Sequence, residues 1–303
     1  MAHAPDEENP SRWRDVVTLT KPGITALIVL VAVAGYFLAL PARVDLGRLG
    51  LLALTGGLAS AGSAMLNHVL DRDVDGGMKR TRGRPLPGSR IKSSQGVLVA
   101  GIGLVAFGVG GATLWLNPLT GLSIALGALT YVVVYTLLLK RRTNWNIVIG
   151  GFAGSAPALA GGAAAVGSWT APVLAFSLLV FLWTPPHFWS LALLLREDYR
   201  RVGLPMLPRM DDPAYSGRIV VVSALLLVPA SVLLVAVAPF AWPAALLVLV
   251  AVAIYVALAL PLWRRVDRPV ALRAFIGSGP YLLAVIAVLV VNFWLHALGI
   301  APL

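Results

Sequence analysis

Asn67, Asp71 and Asp75 recur every four residues in the run NHVLDRDVD at 67–75. On a continuous helix that spacing places all three on one face, with a drift of roughly 40° per step. Their oxygens are hard ligands of the kind Mg²⁺ prefers. Gly76 and Gly77 follow as a helix stop. MKRTRGRP then packs Lys79, Arg80, Arg82 and Arg84 into six positions. Carboxylates call for a divalent cation, and a basic cluster calls for an anion. Side by side at the end of a membrane-length apolar run, they predict a Mg²⁺-bound phosphate or diphosphate on a lipid-soluble substrate. Asp73 falls on the opposite face, where a salt bridge or a solvated charge is expected.

A second acidic group, Glu197 and Asp198, closes a later apolar segment within FLWTPPHFWSLALLLREDYRRVGLPMLP at 181–208. Val202 stands four residues past Asp198, so no second carboxylate shares its face. Taken alone this is an ordinary basic loop. If the two carboxylate-bearing helices face each other, the sites can hold one or two Mg²⁺ across a diphosphate. A third cluster, LKRRTNWN at 139–146, carries Lys140, Arg141 and Arg142, which by default set membrane topology. Tyr135, Thr136 and Asn146 lie beside it, where buried polar groups need partners or a ligand. His187 follows Pro185 and Pro186, a pair expected to kink or locally unwind its helix. It either packs in a helix interface or faces an internal cavity and touches substrate. The small residues of GGFAGSAPALAGG at 150–162 are read as helix packing. His68 and His296 receive no role.

The elements that must position these residues are membrane spans. The 303 residues are 58% hydrophobic and 12% charged, with a mean hydropathy of +0.85. A soluble domain carries about 25% charged residues. Nine apolar segments, near 24–41, 50–70, 97–116, 120–139, 146–166, 170–192, 219–238, 243–262 and 278–298, each approach the roughly 20 residues that a bilayer requires. These long unbroken runs exclude a β-barrel. The N-terminal tail and the loops 71–96, 140–145, 193–218 and 263–277 hold 22 of the 24 Lys and Arg, leaving only Arg43 and Arg48 opposite. That asymmetry puts the N-terminus in the cytoplasm and the C-terminus outside. The net charge of +11 is thus a topology signal, and no nucleic-acid partner is expected. The lack of Cys excludes disulfides and thiolate metal sites. Asp6, Glu7, Glu8 and Asp15 make a poor leader, so segment 1 is read as a retained helix despite Leu40-Pro41-Ala42. Residues 1–12 read as a disordered end of a cytoplasmic tail, 1–21, ahead of a transmembrane domain, 22–303.

The Asn67/Asp71/Asp75 pattern, its basic tail and the later Asp198 resemble the UbiA superfamily of intramembrane prenyltransferases. LTKPGI at 19–24, NHVLDRDVDGGMKRTRGRPLP at 67–87, YTLLLKRRTNWNIVIGG at 135–151, FLWTPPHFW at 181–189 and DYRRVGLPMLP at 198–208 resemble its haem-farnesylating branch. The resemblance implies an all-α bundle of nine transmembrane helices around a central cavity open to lipid. It implies a prokaryotic-type inner (plasma) membrane with the active site facing the cytoplasm. The implied reaction moves a farnesyl group from farnesyl diphosphate to a vinyl group of haem b, with water addition, giving haem O. The implied cofactor is Mg²⁺ on Asn67, Asp71, Asp75 and Asp198, the first three being catalytic. Lys79, Arg80, Arg82, Lys140 and Arg141 would bind the diphosphate. His187, Tyr135, Trp183, Phe188, Trp189 and Asn146 would line the acceptor pocket. A haem A synthase or an oxidase assembly factor is the implied downstream partner. Two features depart from the pattern: Val202 replaces a carboxylate, and PALAGG leaves Pro157 and Gly161 without an assigned function.

Two other readings share part of this pattern. A UbiA-type enzyme acting on an aromatic or quinone-precursor acceptor would keep the diphosphate site and change the acceptor pocket; a haem-dependent spectral change separates the two. A transporter would account for the Gly- and Pro-interrupted helices. Against it, the charged groups gather at one membrane face and the spans lack coupling residues.

Overall fold

The computed structural model describes residues 12–40 and 43–299, so the expectations for residues 1–11 and for Pro41-Ala42 lie outside the described residues. Among the described residues there are helices and turns and no strands. Apolar composition makes the spans, and local chemistry sets their ends. Asp45 accepts from the Arg48 N–H, Ser93 from Gly96, Asn117 from Thr120, Asp212 from Tyr215 and Asp267 from Val270. Each cap satisfies a backbone donor that the first helical turn leaves free. Pro stands in the first turn after the last three of these caps, where its missing N–H costs nothing.

The chain begins with α1 (Arg12–Leu19), within the stretch read as tail, and turns through Lys21 into α2 (Pro22–Leu38). Next come α3 (Leu46–Leu70), the short α4 (Arg72–Gly77), α5 (Ser94–Trp115) and α6 (Pro118–Leu129). The last runs on as a π-type helix over Thr130–Leu139. Then follow α7 (Asn146–Gly150), α8 (Phe152–Val166), α9 (Ala171–Leu194) and the short α10 (Arg196–Arg201). The remainder is α11 (Pro213–Leu225), α12 (Leu227–Val237), α13 (Trp242–Ala259) and α14 (Arg268–Ala297). Among the described residues, eight helical stretches are long and apolar enough to cross a membrane, and nine if the α1–α2 pair, bent by 47°, counts as one.

Three local expectations need correction. The helix bearing Asn67 does not run on to Asp75. It ends at Leu70, Asp71 takes a non-helical conformation, and α4 starts again at Arg72. Spacing survives the break, because the Asp71 N–H still bonds Asn67 O at 2.9 Å and the Asp75 N–H bonds Asp71 O at 2.8 Å. Second, α9 continues through Pro185 and Pro186 without unwinding. Third, α11 and α14 begin at Pro213 and Arg268, ahead of the apolar runs at 219 and 278, since caps rather than hydropathy set helix starts.

In the first half of the bundle, α3 packs on α5 and α2 on α8; in the second, α9 packs on α11, α12 and α14. A Cβ on Gly161 would fall 1.9 Å from Ala32 O, and one on Gly35 2.2 Å from Ala158 O. Only glycine allows α2 and α8 to touch backbone to backbone, the packing by which membrane helices associate. Leu114, Trp242, Leu247 and Ile254 are exposed on the outside, an apolar surface suited to lipid. A cavity of about 650 Å³ lies between the halves.

Candidate active site

At one end of the cavity, charges and amides are interlocked. Asn67, Asp71 and Asp75 are buried, each at 3% exposure or less. Lys21 Nζ donates to Asn67 Oδ1 at 2.6 Å and to the Tyr131 hydroxyl at 3.0 Å. Because lysine only donates, it fixes the orientation of the amide. Asn67 Nδ2 then donates to Asp71 Oδ2 (2.7 Å) and Thr136 Oγ1 (3.1 Å). Lys140 pairs with Asp71 and Arg84 with Asp75, both at 2.5 Å. Lys21 reaches this network from a left-handed backbone conformation, φ 46°, that non-glycine residues seldom adopt. Such strain costs on the order of 1–3 kcal/mol and is typical of functional positions.

The π-type turn carries the facing wall. Tyr131 and Tyr135 stack with ring centroids 6.0 Å apart, and Thr136 and Lys140 bond back five residues to Tyr131 O and Tyr135 O. Lys21 lies 5.7 Å from the Tyr131 ring and Lys140 5.8 Å from the Tyr135 ring, within cation–π range.

The expected diphosphate ligands divide. Arg80 and Lys140 line the cavity together with Arg84, a member of the basic cluster that the resemblance did not place at the diphosphate, and Lys21, which the sequence does not mark for any role. Lys79 and Arg82 are exposed and do not line it. Arg141 turns away to a two-pronged bond with exposed Asp73 at 2.6 and 2.7 Å. That bond holds the Asp73 carboxyl below its ordinary range. Asp198 faces the backbone N–H groups of Lys79 and Arg80, each at 3.4 Å, and Arg201 at 3.5 Å. Next to it, Tyr199 lines the cavity together with Arg80, its phenol pushed up by burial.

Among the described residues no three His, Asp or Glu side chains form a ready-made metal cage. Asp71 and Asp75 are each held by a cation of the chain, and Asp198 holds a backbone turn. Yet Asp71 Oδ1 is buried with no hydrogen-bond partner among the described residues. An uncommitted buried carboxylate oxygen is costly, and a hard divalent cation would satisfy it. With two Asp and one Asn side chain in one corner, the donor set fits Mg²⁺.

The other end of the cavity is aromatic. Trp183, His187, Phe188 and Phe275 line it. His187 lies between Trp183 (4.4 Å, 19° between planes) and Phe275 (4.9 Å, 33°). Trp189 and Asn146, also expected at the acceptor pocket, do not line the cavity. Trp189 is buried on another side of α9. Asn146 donates to Thr143 O (2.6 Å) and Pro205 O (3.1 Å), tying two loops together. His68, with no role assigned, lines the cavity fully buried and with neither ring nitrogen bonded among the described residues.

The UbiA prenyltransferase family matches residues 28–286. A protoheme IX farnesyltransferase of Xylella fastidiosa is 38% identical over 300 residues, covering 94% of this chain and 97% of the relative. Another, of Sulfurisphaera tokodaii, is 39% identical over 281 residues, covering 91% and 92%. The fold is similar to a solved UbiA homologue from Archaeoglobus fulgidus bound to DMAPP and Mg²⁺, with TM-score 0.71, 17% identity and coverage of 91% and 99%. It is also similar to a digeranylgeranylglyceryl phosphate synthase, with TM-score 0.75, 17% identity and coverage of 93% and 98%. Both the match along the sequence and the shared architecture lead to one statement: the chain belongs to the UbiA prenyltransferase family.

Proposed function

We propose that this prenyltransferase moves the farnesyl group of farnesyl diphosphate onto a vinyl carbon of haem b and, with one water, yields haem O and diphosphate. The observation that carries the reading is the polarity of a single cavity. Lys21, Arg80, Arg84 and Lys140 gather at one end, and Trp183, His187, Phe188 and Phe275 at the other. An anionic leaving group suits the first end and a flat apolar acceptor the second. The relatives named protoheme IX farnesyltransferase support protoheme IX as the acceptor and a farnesyl group as the one transferred.

Asn67, Asp71 and Asp75 would hold Mg²⁺, with Asp198 contributing from the loop after α9. When bound, Mg²⁺ neutralises the diphosphate and makes it a better leaving group. The C1–O bond of the farnesyl chain breaks with its electron pair leaving on the diphosphate, to which Lys21, Arg80, Arg84 and Lys140 give charge-assisted hydrogen bonds. Vinyl π-electrons form the new C–C bond to the allylic cation. Water then captures the cation left beside the porphyrin ring and releases a proton. Tyr131, Tyr135 and Trp183 present ring faces that stabilise cationic character while the cavity keeps bulk water out. Little general-base chemistry is required, in keeping with the few titratable groups at the aromatic end.

The charge asymmetry supports an inner-membrane protein, N-terminus in the cytoplasm, C-terminus outside and the diphosphate end facing the cytoplasm. The catalytic domain spans 22–303, and the product passes to a haem A synthase or an oxidase assembly factor. The deciding experiment incubates the purified protein with haem b, farnesyl diphosphate and Mg²⁺, then weighs the extracted haem. A mass gain of one farnesyl plus one hydroxyl group is expected. Unchanged haem together with prenylation of an aromatic acid would replace the acceptor.

A further inference from the structure

Ser278, on α14, makes three hydrogen bonds that together determine the state of His187 across the helix interface. Its hydroxyl donates to Phe275 O at 2.6 Å. That uses its only proton, so the 2.6 Å contact with His187 Nδ1 runs the other way: the ring N–H donates and Ser278 Oγ accepts. In a neutral ring, a proton on Nδ1 leaves Nε2 a bare lone pair. No hydrogen bond engages Nε2 among the described residues. The ring plane is fixed between Trp183 and Phe275, and Trp183 is itself held by a bond from Nε1 to Ser278 O at 2.8 Å. Ser278 is completely buried, so water does not compete for these bonds.

A lone pair can accept and cannot donate. A porphyrin propionate, itself an acceptor, therefore finds no partner at Nε2, whereas iron does. Histidines that bind metals characteristically donate their second ring N–H to a neighbouring acceptor, which sets tautomer, orientation and basicity. We propose that His187 binds the iron of the haem substrate through Nε2, with Ser278 as the positioning residue that fixes the tautomer. This rests on haem being the acceptor. Binding at iron holds the macrocycle at the aromatic end, so that a vinyl edge can be turned toward the cationic end of the same cavity.

The test adds haem b to the detergent-solubilised wild type and to His187→Ala and Ser278→Ala, and records resonance Raman spectra of the ferrous complexes. The wild type is expected to give an iron–imidazole stretching band. His187→Ala should lose it and bind haem at least about tenfold more weakly, with added imidazole restoring the band. Ser278→Ala should keep a band shifted to lower frequency, since the ring loses its acceptor while the backbone bond to Trp183 survives. Unchanged thermal unfolding of each variant reports an intact fold. Haem that binds the wild type and gives the same spectrum in His187→Ala overturns the proposal alone. Failure of haem to bind the wild type overturns it together with the reading it rests on.

Discussion

The two ends of the cavity are built by different means. The cationic end is assembled from α3, α4, the π-type turn and the strained residue Lys21, and Asn67, Asp71 and Asp75 are each held by a cationic side chain. The aromatic end stands on two long helices, α9 and α14, and is held by ring packing and one serine. Charge pairs can be exchanged for substrate charges without moving the backbone; stacked rings cannot be exchanged without losing shape. The first end is therefore suited to binding and releasing an anion, and the second to presenting a fixed surface to a flat acceptor.

The largest test of this contrast lies within one acidic run. Asp71→Ala and Asp75→Ala are each expected to lower turnover on the order of a thousand-fold, a loss of about 4 kcal/mol of leaving-group stabilisation. Asp73→Ala, whose carboxylate is exposed, should stay within about threefold of wild type. Equal losses in all three would erase the distinction between buried and exposed faces.

Lys21→Met comes next. Removing a charge-assisted hydrogen bond of about 1.5–3 kcal/mol should lower kcat/KM for the prenyl diphosphate roughly ten- to a hundred-fold. A value near wild type would show Lys21 to be a topology charge and no more. Arg84→Ala should cost about tenfold and Arg141→Ala little, a ranking opposite to the one expected from the sequence.

Gly161→Ala probes the frame instead of the charges. It is expected to destabilise by about 1–3 kcal/mol, read as a lower Tm in detergent, because the added methyl meets Ala32 O. Gly154→Ala, where the nearest atom is 3.7 Å away, is the matched control and should leave Tm almost unchanged. The smallest effect concerns pH. Arg141 depresses the folded-state pKa of Asp73, so the pair stabilises above the unfolded value of about 4 and its contribution fades as pH falls through the lower folded value. The Tm difference between wild type and Asp73→Asn should be small and should vanish in acid.

Much of the frame was readable from the chain: the apolar runs locate the spans, and the four-residue spacing gathers Asn67, Asp71 and Asp75 even though their helix breaks. Partners were harder to read. Lys21 lies 46 residues from Asn67 and resembles any other positive-inside charge; only its left-handed backbone sends it inward. Arg141 looked equivalent to Lys140 until Asp73 claimed it. Ser278, 91 residues from His187, sits in an apolar helix with nothing local to mark it. His68 lies off the face of Asn67, so the four-residue spacing does not mark it, yet it lines the cavity. Such distant pairings depend on tertiary packing and leave no periodic trace.

The π-type segment over Thr130–Leu139 has a consequence for how this chain can vary. A π turn holds more residues than an α turn, so it acts as an insertion absorbed within a span, resetting the rotational phase of everything after it. Deleting one residue there would leave the hydropathy profile nearly intact while turning the downstream end by the rotation of one residue, somewhat less than the roughly 100° of an α-helix. Lys140 would swing off its bearing toward Asp71. Length changes inside this span are thus as consequential as substitutions at the carboxylates, although a scan for charged residues would pass over them.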